Sequence, residues 1–330
     1  MWALPPAVPI RNARMRVRME AHNFFVNKEG HLRSAWRITF FAIAFLVCAK
    51  VFEAVAGLAI SALHIPAGGN ADFLIGALIL LSSATLVGWG CSVVFEGLSF
   101  RAVGWWPHRG WWKNLVLGSV IGAASLLLAA GLTAVTRGIR FSFDPSGTSS
   151  IGRTLIVSGA VFVLAGAGEE ALFRGYPLQT LTRAKLAWLG VLLTSVPFAV
   201  VHLANPNATV AFTFLNTAVA GIWLAVAYLR TRSLWFPLGL HWAWNWTQAS
   251  LLGLPVSGIK RIAPAPLLHA MNAGPDWLTG GAYGIEGGAA CTLALVVSTL
   301  VVWRTKLVWQ ARDENLEMKS VVPAVAGESH

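Results

Sequence analysis

Long apolar runs, separated by short polar segments, fill most of this chain. Each run is roughly 17–25 residues long, the length that spans the hydrocarbon core of a bilayer as a helix. The pattern therefore predicts an all-α fold, a polytopic transmembrane helical bundle of about eight spans. Gly and other small residues recur within the runs, which is typical of helices that pack closely in lipid. The runs lie near 38–62, 73–95, 112–135, 155–178, 186–204, 208–229, 234–254 and 287–303.

The composition agrees with a membrane protein and argues against an ordinary soluble domain. Of the 330 residues, 56% are hydrophobic and only 12% are charged, whereas a soluble domain carries about 25% charged residues. The net charge of +11 raises the question of a nucleic-acid partner. We reject that partner because Lys and Arg lie in short clusters between the apolar runs, a pattern that suits anionic membrane lipids. Cys48, Cys91 and Cys291 lie in apolar runs without metal-ligand spacing and are predicted to be packing residues.

The distribution of basic residues predicts the orientation of the spans. The N-terminal tail and the loop near 96–113 are rich in Arg and Lys, as are the later connections on the same side. The opposite loops 63–72 and 205–207 contain neither residue, and the long loops 136–153 and 255–286 contain few. Both termini are therefore predicted to be cytoplasmic, and we expect a multi-pass protein of a bacterial inner membrane.

The chain divides into three regions on this pattern. Residues 1–35 are expected to form a basic cytoplasmic tail that lacks the apolar segment and cleavage site of a signal peptide, so that the first span acts as an uncleaved anchor. Residues 36–308 are predicted to form the transmembrane domain, with a catalytic core at 150–250. Residues 309–330 are polar and are expected to form a disordered cytoplasmic tail.

Ionisable side chains inside a span are costly and require an explanation. The fourth run contains Glu169, Glu170 and Arg174. Glu170 and Arg174 are four residues apart, so they share a helix face and can pair. Glu169 points about 100° away from its neighbour, which leaves it free to act as a general base toward water. For the Glu170–Arg174 pair alone, a structural brace without chemistry is the favoured interpretation.

Two later runs carry histidines. His202 ends the fifth run, and a lone histidine in such a position is more often structural or interfacial than catalytic. His241 and Asn245 lie four apart in the seventh run and therefore on one helix face, where an interhelical hydrogen-bond pair is the alternative to a site. Three spans could turn these side chains and Glu169 toward one cavity. Together they would supply a base, a second proton carrier and oxyanion donors, which are the requirements for amide hydrolysis by activated water.

These motifs make the sequence similar to a known family. It resembles the CPBP family, which comprises the CAAX proteases and bacteriocin-processing membrane proteins and is also called the ABI type. All three family motifs occur in the family's order and within apolar runs, over roughly residues 150–250. The motif EExxxR matches Glu169, Glu170 and Arg174, the motif FxxxH matches Phe198 and His202, and the motif HxxxN matches His241 and Asn245.

The resemblance implies an intramembrane, glutamate-dependent endopeptidase without a cofactor. By resemblance, Glu169 would activate water with the assistance of His202, and His241 and Asn245 would hold the oxyanion. The implied partner is a membrane-associated protein or peptide substrate. In the eukaryotic branch such substrates are prenylated proteins, whereas bacterial members are linked to peptide maturation, bacteriocin self-immunity and membrane-protein turnover. The supporting positions would be Glu170, Arg174 and Phe198.

Several alternatives stay open. A catalytic zinc ion held by Glu169, His202 and His241 with a water molecule is less favoured than metal-free glutamate chemistry. The aspartyl, rhomboid-like and HExxH protease classes are not supported, because no span contains two Asp and neither GxSG nor HExxH occurs. A non-catalytic membrane scaffold or a small-molecule transporter could also use such a polar pocket. Lys50 and Glu53 in the first run would fit a translocation pathway as well as a structural pair.

The depth of His202 places a condition on a shared site. His202 lies near the outer end of its run, whereas Glu169 and His241 lie deeper and closer to the cytoplasmic side. Straight, full-length spans would keep them apart, so the fifth span must begin late or tilt. A shared site further requires His202 to lie within about 10 Å of Glu169, because a base and its helper act within hydrogen-bond or one-water reach.

Overall fold

The described part of the chain is mainly helical. The computed structural model describes residues 24–27, 30–64 and 68–311, so most of the predicted N-terminal tail and nearly all of the C-terminal tail lie outside the described residues. The helices are α1 (Ser34–Ala62), α2 (Asn70–Glu96), α3 (Trp111–Val135), α4 (Thr148–Glu170), α5 (Tyr176–Arg183), α6 (Ala187–His202), α7 (Val210–Thr231), α8 (Trp235–Trp246), the one-turn α9 (Asp276–Thr279) and α10 (Ala289–Arg304).

Five helical segments of the described chain are long and apolar enough to cross a membrane. They are α1, α2, α3, the continuous segment Thr148–Arg183 and α7. The helices α6 and α10 are also apolar but only 16 residues long. This set indicates a multi-pass integral membrane protein. Each predicted apolar run coincides with a helix, while the number of spans and the side on which the termini lie stay predictions.

Two helices continue into π-helical turns at or near the motif residues. The helix α4 passes at Glu170 into the π-helix Ala171–Gly175, and α8 passes at Trp246 into the π-helix Thr247–Leu251. Such turns are rare and occur frequently at functional sites, because the extra residue shifts the side chains that follow to a different face. The first π-helix thus contains Arg174 of the first motif, and the second begins two residues after Asn245 of the third motif.

The helices α3 and α8 cross at very short range through glycines. A Cβ atom built on Gly118 or Gly122 of α3, or on Gly239 of α8, would collide with a backbone carbonyl oxygen of the facing helix. Small residues at such a crossing let two backbones approach closely in lipid. This contact fixes the depth and rotation of α8, and therefore the direction of the side chains that α8 carries into the bundle.

A polar cluster holds α5 at the end of α2, immediately after the first motif. Arg183 Nε donates to Glu96 Oε2 at 2.7 Å, and the Thr180 hydroxyl donates to Glu96 Oε1 at 2.7 Å. Arg37 of α1 lies 3.8 Å from the same carboxylate. These contacts anchor the chain on the far side of the π-helix and so support the position of α4 and its glutamates.

The two long loops form a small sheet that an all-α fold does not include. Strand β1 (Ile139–Phe143) pairs antiparallel with β2 (Leu268–Asn272), so that Ile139 faces Asn272. The segments 136–153 and 255–286, which were predicted to be loops, therefore each contain one short strand. The strands belong to segments distant in sequence, and five residues in each give no local signal strong enough to predict the pairing.

Candidate active site

Glu170 and Arg174 form a fully buried ion pair at the end of α4. Arg174 Nη1 lies 3.1 Å from Glu170 Oε1, and both side chains are 0% exposed. Arg174 Nη2 also donates to the Gly221 carbonyl oxygen of α7 at 3.1 Å, and the guanidinium lies 4.6 Å from the ring centroid of Phe198. The pairing predicted from the spacing is confirmed. Arg174 links α4 to α6 and α7.

His241 lies between the two adjacent glutamates. Its Nδ1 is 2.9 Å from Glu170 Oε1, and its Nε2 is 3.7 Å from Glu169 Oε2. An ionised carboxylate only accepts hydrogen bonds, so Nδ1 carries a hydrogen when Glu170 is ionised. Glu170 therefore fixes the rotation of the imidazole ring, and Nε2 is directed toward Glu169. Sequence spacing alone had paired Glu170 only with Arg174.

Glu169 occupies a different environment from its neighbour. Its side chain is 25% exposed, and within the described residues its Oε2 atom has no hydrogen-bond partner. That oxygen is itself buried, but the side chain lines the cavity, and an ionised carboxylate has further lone pairs that can accept a hydrogen bond from a water molecule or a substrate. The two glutamates therefore differ in role, Glu170 being held by cationic and imidazole partners and Glu169 facing open space.

That open space is a cavity of about 600 Å³, within the size range of ligand sites. The cavity brings together the four principal residues named from the sequence, which are Glu169, His202, His241 and Asn245. Its remaining wall is mostly apolar and aromatic and includes Phe162, Phe173, Phe198, Trp223 and Trp244. A few polar groups within an apolar wall are the arrangement expected of a site that binds an apolar substrate.

His202 reaches the cavity from the end of α6. Its Nδ1 lies 2.7 Å from the Phe198 carbonyl oxygen, so Nδ1 carries the hydrogen and Nε2 is an acceptor in the neutral ring. The Phe198 ring lies 4.6 Å from the His202 ring and 6.2 Å from the His241 ring. The helix begins at Ala187, one residue after the predicted start of the run at 186, so the late start expected for a shared site is not seen, although His202 still lines the cavity. Phe198 therefore packs near both histidines.

Asn245 lies one turn beyond His241 on α8. It is half-buried and lines the same cavity, so the two side chains of the third motif face one space, as their spacing predicts. The π-helix begins two residues later at Thr247. The amide of Asn245 offers two N–H donors, which suits a group that must stabilise negative charge on an oxygen.

Glu286 is a cavity residue that sequence reasoning missed. Trp244 Nε1 donates to its Oε1 at 3.2 Å, and the backbone N–H and hydroxyl of Ser257 donate to its Oε2 at 2.6 and 3.0 Å. Burial raises the pKa of this carboxyl, and the hydrogen bonds from Ser257 and the nearby His202 oppose that shift. The available signal was a lone acidic residue at the border of the last apolar run.

Two expectations from the sequence can be compared with this geometry. For the zinc alternative, no group of three or more His, Cys, Asp or Glu within the described ranges is arranged to hold a metal ion.

Lys50 and Glu53 pair at 2.6 Å, but their side chains are 77% and 52% exposed and do not line the cavity. The pair therefore does not extend a polar pathway through the cavity.

Comparisons with known proteins agree with the geometry. Residues 151–247 match the model of a family described as type II CAAX prenyl endopeptidase Rce1-like, and this segment contains all three motifs. A protein of Escherichia coli described as an uncharacterized 24.3 kDa protein is 29% identical over 156 residues, which cover 45% of this chain and 67% of that protein. No solved structure matches the chain.

Proposed function

Residues 151–247 form an Rce1-like domain of the CPBP family, and from this premise we propose that the chain is an intramembrane endopeptidase that uses Glu169 to activate water. The family implies a protease of the CAAX type, whose substrates are proteins or peptides. The substrate proposed here is a membrane-associated protein or peptide. The observation that carries the proposal is the position of His241 Nε2, which lies 3.7 Å from the carboxylate of Glu169, a side chain that is 25% exposed at the wall of the cavity.

In the first step, a water molecule beside Glu169 attacks the carbonyl carbon of the scissile peptide bond. Glu169 takes one proton from this water, because its side chain is 25% exposed and lines the cavity. His202 accepts a hydrogen bond through Nε2 from the second O–H of the water, which stays on the attacking oxygen, since its Nδ1 is held by the Phe198 carbonyl oxygen. The new C–O bond forms while the carbonyl π electrons move to the oxygen.

In the second step, the oxyanion is stabilised and the amine leaves. Asn245 donates an N–H, and doubly protonated His241 donates from Nε2 while Nδ1 remains bonded to Glu170. The negative Glu170 favours this form of the ring, and Arg174 balances the charge of Glu170. The C–N bond then breaks as the oxyanion collapses, and the proton held by Glu169 passes to the leaving nitrogen. Donors fixed before the reaction supply most of the stabilisation in such sites.

Glu169→Gln, with Glu170→Gln as the comparison, tests the proposal. Membranes from cells that produce the wild type or either variant are compared by mass spectrometry of new peptide N-termini. Glu169→Gln keeps the shape and removes the base, so we expect cleavage to fall about 10²–10⁴-fold at unchanged protein level and melting temperature. Glu170→Gln is expected to reduce cleavage and also to lower the melting temperature, because Arg174 loses its partner.

The outcomes separate this proposal from its alternatives. Cleavage that is identical in the wild type and in Glu169→Gln would refute the protease proposal and favour a scaffold or a small-molecule transporter. Cleavage by the purified wild type that persists after treatment with a strong chelator would exclude the zinc alternative. Cleavage that is lost on chelation and restored by Zn²⁺ would replace the metal-free mechanism.

The location of the cavity indicates the membrane face from which a substrate would reach the site. The cavity wall includes Asp72 near the start of α2, Asn205 just after α6, and Ser257 and Glu286 of the segment that follows α8. All of these lie at the ends of the helices opposite to the basic loops. By the charge rule this is the non-cytoplasmic side. We therefore propose that the substrate approaches the site from the outer face of the membrane.

A further inference from the structure

An ion pair lies near the middle of α1, the first long apolar helix. Lys50 Nζ is 2.6 Å from Glu53 Oε2, and the two side chains are 77% and 52% exposed. The helix Ser34–Ala62 is apolar enough to cross a membrane, and the pair is more than two turns from either end. Charged side chains at that depth are costly, and they almost always face a bundle interior or a water-filled cavity. Within the described residues this pair faces neither.

The two faces of α1 have different characters. At 100° per residue, Phe41, Phe45 and Phe52 lie on one side of the helix. Phe41 is its only fully buried residue and packs against Tyr176 at 5.4 Å, and Phe45 lines the cavity. This side is therefore the one that packs against the bundle. Lys50 lies on the opposite side, and its direction is almost diametrically opposed to that of Phe41.

The exposed side of α1 also carries small residues. Glu53, Gly57 and Ser61 follow each other at intervals of four, and Lys50 lies within the same face. Gly57 is exposed, and a Cβ atom built on it would meet no described atom within 4 Å. A small-xxx-small pattern with polar groups beside it is the combination that promotes close helix association in membranes. The face thus combines room for a close approach with a polar group that hydrocarbon cannot solvate.

We propose that this face binds the same face of a second copy of the chain, so that the protein is a dimer through α1. Two copies in one membrane have the same orientation, so a two-fold axis along the membrane normal makes their α1 helices parallel. Lys50 and Glu53 differ by three residues, or about 4.5 Å along the axis, which is within reach of a lysine side chain. Each Lys50 then meets Glu53 of the partner subunit. Two positive and two negative charges alternate around the axis, so the face is complementary to itself.

Disulfide crosslinking in native membranes tests the geometry. In a full-length background whose native cysteines are replaced by Ala, Ser61→Cys places a near-isosteric thiol on the proposed face. Ala59→Cys is the matched control, because it is also exposed and lies near the same end of α1 but points about 160° away. We expect mild oxidation to give a covalent dimer with Ser61→Cys and at least tenfold less with Ala59→Cys. Equal crosslinking of the two variants would overturn the proposal.

Charge exchange tests the complementarity directly. Subunit counting by single-molecule photobleaching is performed on the intact protein in liposomes. Lys50→Glu is expected to raise the dimer dissociation constant about tenfold or more, and Lys50→Glu with Glu53→Lys is expected to restore the wild-type value. Replacing both residues by Leu removes the charges without harming insertion, so loss of the dimer there supports the role of the pair.

Two further results would contradict the proposed dimer. One is a monomeric wild type at every protein density, and the other is a Ser61→Cys adduct with a different protein in place of a second copy. Neither outcome depends on proteolytic activity.

Discussion

A single oxygen of Glu170 connects the charged residues of the site. Its Oε1 atom accepts from Arg174 at 3.1 Å and from His241 at 2.9 Å. Because the pair is fully buried, neither charge can be solvated by water if its partner is removed. Glu170 is therefore both a brace for the bundle and the group that orients the imidazole. The two adjacent glutamates therefore have different partners, and we expect that neither can replace the other.

Arg174→Met tests the cost of breaking this pair. Removing one partner of a buried ion pair leaves the other uncompensated, so we expect the variant to lose about 3–5 kcal/mol of stability. Adding Glu170→Gln to Arg174→Met removes the isolated charge and is expected to recover most of that loss. Denaturation of the purified proteins in one detergent measures both values. A double variant that is less stable than Arg174→Met would contradict the pairing as the source of the effect.

Contacts within one helix could be predicted from residue spacing, whereas contacts between distant segments could not. Glu170 and Arg174 pair because positions four apart meet on any helix, so the contact could be derived from one segment. The contact between Glu170 and His241 depends on how α8 crosses the bundle, and no local pattern encodes that. Glu286 was missed for a similar reason, since its partners Trp244 and Ser257 lie in other segments.

At the scale of elements, the crossing of α3 and α8 controls the third motif. The glycines at this crossing leave the backbones in contact, so any side chain there must push the helices apart. A shift of α8 would move His241 away from both glutamates, and positioning errors of about 1 Å reduce catalysis strongly. The apolar runs predicted the helices themselves because helix length and hydropathy are local properties. The apolar runs could not predict the π-helices, because a π-helical turn depends on packing around the motifs and not on local hydropathy.

Gly122→Ala and Gly131→Ala separate a packing effect from a helix-propensity effect. Both glycines lie in α3, but a Cβ on Gly122 collides with the Leu240 carbonyl oxygen, whereas Gly131 has no described atom within 4 Å of its built Cβ. We expect Gly122→Ala to lose about 1–3 kcal/mol of stability through overpacking and to reduce cleavage. Gly131→Ala is expected to be neutral or to gain up to about 1 kcal/mol. Equal melting temperatures of the two variants would show that the crossing is looser than described.

At the scale of the whole molecule, part of the cavity wall comes from segments at the helix ends opposite to the most basic loops. The segment after α8 contributes Ser257 and Glu286 to the cavity wall and β2 to the small sheet, although this segment lies outside residues 151–247, which match the Rce1-like family model. The three motifs could be recognised in the sequence, because each is a short helical pattern. The contribution of this segment was not, because it depends on contacts between distant parts of the chain.

Cysteine labelling in intact cells tests the predicted orientation. Ala204, next to the cavity end of α6, and Lys306, just after α10, are both exposed. With the native cysteines replaced by Ala, a membrane-impermeant maleimide applied from outside is expected to label Ala204→Cys at least tenfold more than Lys306→Cys. After the membrane is permeabilised, both variants should react equally, which controls for local reactivity. The basic residues near Lys306 and the charge-free loop at 205–207 give this expectation its physical basis. The opposite labelling pattern would place the cavity on the cytoplasmic side, and a substrate would then have to approach the site from the cytoplasm.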